Sequence, residues 1–358
     1  MREPAAAVST VGPVLSVVLP NYNHADYLPR ALDALLSQER PSDEIIVVDD
    51  CSTDGSRDIV TRYAAKHSSV RLVANRENVG VIPTLSRGVG EARGQFVYFG
   101  AADDFVLPGF FETAIEALQT YPQAGLFFGD ARLVDGQSER FLGVRPPVRP
   151  RYSAGFIDAP AAATLLRRND NFVGTGAAVF RRDAVVSAGG FQNELSTFAD
   201  GYLVRKIMLM RGFCYAPMAV MTWCVFPGSV SRATSTRPER AKQLLATIVS
   251  RLATDRSFPD WYADAFKRRW HFSTARLALQ ESPVNRDLLI DMGAQNSGDR
   301  AALNYFLNTF GRITARVLVL GWLWWRFRPF SLAGLATTSI ARWLDTLFRK
   351  SLRPLHDA

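Results

Sequence analysis

Apolar residues along the first 130 positions switch repeatedly between two spacings. Val14 to Leu19 and Glu44 to Asp49 (E-I-I-V-V-D) are short apolar runs of strand length. Between them, Leu28, Leu32, Leu35 and Leu36 share one face of a helix predicted from Tyr27 to Gln38. Ile59, Val60 and Tyr63 mark a second helix from Asp54 to His67, with Thr53 or Asp54 as its N-cap. Val70 to Ala74 and Gln95 to Gly100 (Q-F-V-Y-F-G) read as the third and fourth strands, and Leu126 to Gly129 as another short one. A helix is expected to start near Pro108, since proline suits a first helical position.

This rhythm predicts an α/β fold with a largely parallel, Rossmann-like sheet and helices on both faces. Ligands of such sheets bind beyond the carboxyl ends of the strands. Farther on, Arg145 to Arg151 (R-P-P-V-R-P-R) reads as an extended surface loop. Phe172 to Phe180 and Phe213 to Phe226 read as strands, with a helix from Ala199 to Arg211 between them. Past about Arg237 the pattern turns helical, so a soft boundary falls there. Residues 1–13 are expected to be a disordered leader.

Composition narrows the classes. With 358 residues, 47% of them hydrophobic and 21% charged, the chain can bury a full core plus an appended region. Cys51, Cys214 and Cys224 form no CxxC pair, which fits reduced thiols in a cytoplasmic setting. The four histidines are scattered, which disfavours zinc. No stretch is long and apolar enough for a membrane-spanning helix. The Gly88-Val89-Gly90 echo of a dinucleotide fingerprint does not follow the first strand, so a nicotinamide or flavin enzyme is disfavoured.

The chemistry gathers where the strands end. Strand one ends in Pro20-Asn21-Tyr22-Asn23, strand two in Asp49-Asp50-Cys51-Ser52, and strand four in Ala101-Ala102-Asp103-Asp104. A carboxylate there can accept a hydrogen bond from the ring N–H of uracil or thymine while Tyr22 offers a stacking face. Another can hold Mg²⁺ or Mn²⁺, hard ions that leave positions open for diphosphate oxygens. Asp54 reads better as a helix cap. Asp49 is open between a ligand contact and bonds to nearby backbone N–H groups.

These segments closely resemble glycosyltransferase family 2, the inverting class with the GT-A fold. The matching stretches are V-V-L-P-N-Y-N, E-I-I-V-V-D-D-C-S-T-D-G, N-V-G from Asn78, and G-Q-F-V-Y-F-G-A-A-D-D-F-V-L-P from Gly94 to Pro108. The resemblance spans roughly residues 14 to 232. It implies a GT-A nucleotide-diphospho-sugar transferase domain over 14–236, with a nucleotide-binding half (14–130) and an acceptor half (131–236), followed by a helical extension over 237–358. It implies that Pro20, Tyr22, Asp49, Asp50 and Ala102 line the nucleotide, Asp50 meeting the base N3–H. By position, Asp103 is the metal-binding aspartate for Mn²⁺ or Mg²⁺, with Asp104 behind it. Asp200 stands where the family places its catalytic base, and Arg232 lies in a late loop near the diphosphate. The chain departs from the pattern at Ala101, at Leu85-Ser86 and at Val225-Phe226.

The resemblance therefore implies an inverting transferase that moves a sugar from a nucleotide diphosphate, a UDP-sugar first among them, to a glycan or lipid-linked hydroxyl in polysaccharide or glycolipid assembly. A polyprenyl-phosphate glycosyltransferase and a non-catalytic nucleotide-sugar-binding scaffold are the alternatives. The C-terminal region adds one expectation. Nine basic and two acidic residues follow position 299, so the tail carries nearly all of the net charge of +8. Around the apolar run Val317 to Trp325, and again from Ile340 to Lys350, tryptophan sits beside arginine, as in helices lying at a bilayer interface. The expected setting is cytoplasmic, on the inner face of the membrane. A core helix or a homo-oligomer interface is the alternative, and no nucleic-acid recognition module accompanies the charge.

Overall fold

A computed structural model describes residues 14–170, 172, 174–226 and 238–329. The first four strands are β1 (Leu15–Asn21), β2 (Glu44–Asp49), β3 (Val70–Ala74) and β4 (Phe96–Phe99). They lie in the order β3-β2-β1-β4, all parallel. Helices α1 (Leu28–Leu36), α2 (Ser56–Lys66) and α3 (Val81–Glu91) make the crossovers. The α3 helix escaped the sequence reading because Pro83, Gly88 and Gly90 dilute its pattern. Gly88 has a packing role instead: a Cβ there would lie 2.2 Å from Val18 on β1, so only glycine lets the helix approach the strand.

The second half is mixed. After β5 (Phe105–Val106) and α4 (Phe110–Thr120) come β6 (Leu126–Asp135), β7 (Phe141–Arg145), β8 (Gly155–Ile157), α5 (Ala159–Arg168), β9 (Ala178–Arg181), α6 (Arg182–Ser187), α7 (Ala199–Arg211) and β10 (Phe213–Val225). The strand β9 is antiparallel to both β4 and β6, while β10 runs parallel to β6. So β1, β2, β3 and β4 end at one edge, where β9 begins, while β6 and β10, parallel to them, run on past that edge to Asp135 and Val225. The strand expected from Phe172 is confined to Ala178–Arg181, preceded by a 3₁₀ turn over Thr175–Ala177. At the predicted N-cap, α2 starts later, with Gly55 in the cap position, yet Asp54 still accepts the Ser56 N–H at 3.0 Å.

Five helices follow: α8 (Pro238–Thr254), α9 (Tyr262–Gln280), α10 (Arg286–Gly293), α11 (Ser297–Thr309) and α12 (Arg312–Phe327). The first two share a core with the sheet. Leu245, Ile248, Leu252, Phe258 and Tyr262 belong to the same apolar cluster as Val18, Phe128, Tyr202 and Leu203. A separate cluster around Leu279, Leu288, Leu303, Val319 and Leu323 holds the last helices together. The helices past position 237 thus sit partly on the core of the sheet and partly on one another.

Candidate active site

The strand-end carboxylates are not equivalent. Asp49 is fully buried and accepts hydrogen bonds from Arg57 Nε at 2.5 Å, Asn21 Nδ2 at 2.9 Å and the Ser52 N–H at 3.0 Å. Burial pushes its carboxyl up, but the bonds from Ser52, Arg57 and Asn21 together outweigh that and hold it below the usual range. Asp49 therefore ties the ends of β1 and β2 to the start of α2.

Asp50, next in sequence, is also buried. It accepts the Val79 N–H at 2.9 Å, the Gly80 N–H at 2.8 Å and Asn75 Nδ2 at 2.8 Å. These bonds pin the N-V-G segment, where Gly80 has φ of +87°, against the end of β2. A carboxylate offers about four acceptor positions, so one remains for a further donor. Between the two aspartates and Ser52 stands Cys51, at φ of +63° in a conformation that favours glycine. Tyr22 is 44% exposed at the end of β1, free to stack on a planar ligand, and Pro20 is half-buried beside it.

The second acidic pair follows β4. Ala102 is buried, while Asp103 and Asp104 are half-buried. Asp104 accepts the Cys224 N–H at 2.8 Å, which locks this loop to the end of β10. Burial drives the Asp104 carboxyl well above its usual range and the neighbouring Asp103 charge adds to it, against the Cys224 bond. Two carboxylates side by side with such repulsion suit a hard cation whose remaining positions are filled by water and diphosphate oxygens. Among the described residues no group of three or more His, Cys, Asp or Glu side chains could enclose a metal alone.

Asp200 occupies the first turn of α7. Its Oδ2 accepts Thr175 Oγ1 at 3.0 Å, and its Oδ1 accepts the Gly201 N–H at 2.6 Å. Thr175 opens the 3₁₀ turn before β9, at the edge where β4 ends and beside β6 as it runs on, so the bond brings Asp200 to that edge. Four residues earlier, Ser196 sits at φ 46° and ψ −125°, a strained conformation at the approach to α7. Thr175 went unnoticed in the sequence, because a threonine inside a glycine-rich stretch carries no spacing signal.

Helix α7 is braced from behind. Arg205 pairs with Asp170 at 2.7 Å, and Asp170 also accepts the Tyr262 hydroxyl of α9 at 2.7 Å. Lys206 pairs with Asp255 at 2.8 Å, and Tyr202 donates to the same carboxylate. Hence the C-terminal helices hold the element that presents Asp200. Arg232 lies outside the described residues.

Residues 16–185 match the family model of glycosyl transferase family 2. This segment is a family 2 glycosyltransferase domain. The succinoglycan biosynthesis protein ExoO of Rhizobium meliloti is 29% identical over 224 residues, which are 62% of this chain and 63% of ExoO. The chain spans 28 to 67% of the length of the first curated relatives it matches. Among solved structures, Staphylococcus aureus TarS 1–349 in complex with UDP-GlcNAc superposes with a TM-score of 0.60 at 18% identity, covering 87% of this chain and 91% of that one. The mannosyltransferase PcManGT of Pyrobaculum calidifontis, in complex with GDP-Man and Mn²⁺, gives 0.55 at 22% identity over 95% and 89%. These likenesses establish the GT-A fold with its C-terminal helices.

Proposed function

We propose that the protein is an inverting glycosyltransferase that moves a sugar from a nucleotide diphosphate to the hydroxyl of a growing polysaccharide or lipid-linked glycan. The observation that supports this reading is the placement of Asp50 after β2, of Asp103–Asp104 after β4 and of the Thr175–Asp200 pair before β9, along the edge where β2 and β4 end and β9 begins. ExoO, a succinoglycan biosynthesis protein, supports the polysaccharide setting. The UDP-GlcNAc and GDP-Man complexes of the structural neighbours support a nucleotide-sugar donor.

In this mechanism the base lies against Tyr22 and Pro20, with its ring N–H toward Asp50. Mn²⁺ or Mg²⁺ held by Asp103, with Asp104 behind it, would neutralise the charge that develops on the leaving diphosphate. Thr175 and the Gly201 N–H fix the Asp200 carboxylate. That carboxylate takes the proton of the acceptor hydroxyl as its oxygen attacks the anomeric carbon from the side opposite the diphosphate. Ala101 leaves the first acidic position of the metal motif without a carboxylate, so the ribose is held by other groups. A thermal-shift screen of UDP, GDP, ADP and CDP with and without Mn²⁺ tests the donor reading. Metal-dependent stabilisation by one nucleotide is expected; no stabilisation by any would reject it.

The reading includes a place at the inner face of a membrane. No described helix is long and apolar enough to cross one. The α12 helix buries Ala315, Val319, Leu323 and Phe327, while Ile313 (81% exposed), Val317 (64%) and Trp325 (61%) face outward. Arg312 and Arg328, exposed on either side of this stripe, would meet anionic lipid. Sedimentation with phosphatidylglycerol vesicles checks this: Ile313→Glu with Val317→Glu should release the protein, and equal binding by both forms would count against it.

A further inference from the structure

One large aromatic side chain near the acidic pair has no role in the scheme above. Trp223, third from the end of β10, is 42% exposed on a strand whose neighbours Val220, Met221 and Thr222 are buried. Exposing an indole beside buried residues forgoes apolar burial and leaves its flat face open to a ligand.

The strand register fixes those surroundings. Thr222 pairs with Phe105 on β5, which sets Asp104 beside Trp223, and the Cys224 N–H bond to Asp104 confirms the alignment. On the other side Trp223 pairs with Leu133 of β6, and Leu133 pairs with Gly143 of β7. The row across the sheet therefore runs from Asp104 through Trp223 and Leu133 to Gly143. At Gly143, the last residue of the row, a Cβ would meet nothing among the described residues within 4 Å.

The face is fixed as well. Residues two apart on a strand share a face, so Trp223 points to the side of Met221. A Cβ at Gly176 would lie 3.2 Å from Met221 Sδ, so the Thr175–Ala177 turn covers Met221 on that side. Thr175 is the residue that holds Asp200. The opposite face is taken by α1 and its N-cap, through Arg30 over the Phe105 ring at 3.9 Å and Tyr27 against Phe226 at 5.1 Å. Trp223 thus lies about 7 Å farther along the strand than Met221, beyond the turn that holds Asp200 and beside the acidic pair.

We propose that the Trp223 indole is the platform for the sugar ring of the acceptor. A pyranose has a C–H face that stacks on a flat aromatic surface and a rim of hydroxyls that needs polar partners. Stacked on Trp223, a ring presents one hydroxyl toward Asp200 while its next residue leaves over Leu133 and Gly143, where a Cβ at Gly143 would meet no atom of the described residues within 4 Å. The acceptor class is therefore a saccharide, whose ring C–H face an indole can hold, and not a prenyl phosphate, which has no such face. The proposal rests on the transferase reading above and sharpens its acceptor side.

The test uses the full chain with UDP or GDP and Mn²⁺, and saturation-transfer NMR with the methyl β-glycosides of glucose, galactose and N-acetylglucosamine as probes. At least one glycoside is expected to receive saturation at its ring C–H protons, falling at least fivefold in Trp223→Ala and less in Trp223→Phe. Nucleotide binding and Tm should stay unchanged in both variants. Saturation undiminished in Trp223→Ala, no glycoside bound by the wild type, or Trp223-dependent binding of citronellyl phosphate instead would each overturn the platform. Loss of nucleotide binding by the wild type would sink the transferase reading itself, a separate and distinguishable result.

Discussion

The Thr175 hydroxyl donates to Asp200 Oδ2 at 3.0 Å, joining the turn before β9 to the start of α7. This bond decides where the Asp200 carboxylate points. As the base of the proposed reaction, Asp200 contributes about 10²–10⁴-fold, so Asp200→Asn should lower kcat by that factor. Thr175→Val leaves the carboxylate but frees its orientation, and a smaller loss, about tenfold, is expected. Initial rates with a matched donor check both, with nucleotide binding unchanged in each. Full activity in Asp200→Asn would mean another group takes the proton.

Asp103 and Asp104 share a loop but do different jobs on this reading. Asp103→Ala should weaken Mn²⁺-dependent nucleotide binding at least tenfold in calorimetry, with little change in Tm. Asp104 is tied to the Cys224 N–H, so Asp104→Ala also loosens the junction between β5 and β10 and should lower Tm.

Asp49 predicts a pH dependence of stability. Its folded carboxyl lies below the ordinary value of 3.8, so the folded state favours the ionised form. That stability is complete above the unfolded-state value and fades as pH falls below 3.8 through the folded value. Asp49→Asn should cost about 2–3 kcal/mol at neutral pH, near the lower end for a broken buried pair because Arg57 can return to water. Acid titrations of urea midpoints should show a shallower loss below pH 4 in the variant. An equal slope in both proteins would remove Asp49 from the account.

The shared core predicts what truncation does. Ending the chain at residue 237 removes the cover over Tyr202 and Leu203 supplied by Leu245, Ile248, Leu252, Phe258 and Tyr262. It also strips Arg205 and Lys206 of the Tyr262 and Asp255 side of their networks. Each large apolar side chain uncovered costs about 1.5–3 kcal/mol, and a domain has only about 5–15 in hand. The truncated protein should be insoluble or melt at least 10 °C lower in a thermal-shift assay. A soluble product with native Tm would show that the helices beyond 237 are an independent unit.

Local pattern along the chain determined the first four strands, the helix over Ala199–Arg211 and the positions of the strand-end carboxylates. Those features depend on periodicity and on residues adjacent in sequence, which a single chain displays directly. The tertiary structure alone decided that Asp49 is spent on Arg57, that Asp50 grips Val79 and Gly80, and that Thr175 orients Asp200. It also decided that β9 runs antiparallel and that Trp223 faces outward beside Asp104. Each of these joins segments that are distant in the chain, or selects one of two faces of a strand. Hydrophobic spacing fixes the faces an element has, and only packing fixes which neighbour each face meets.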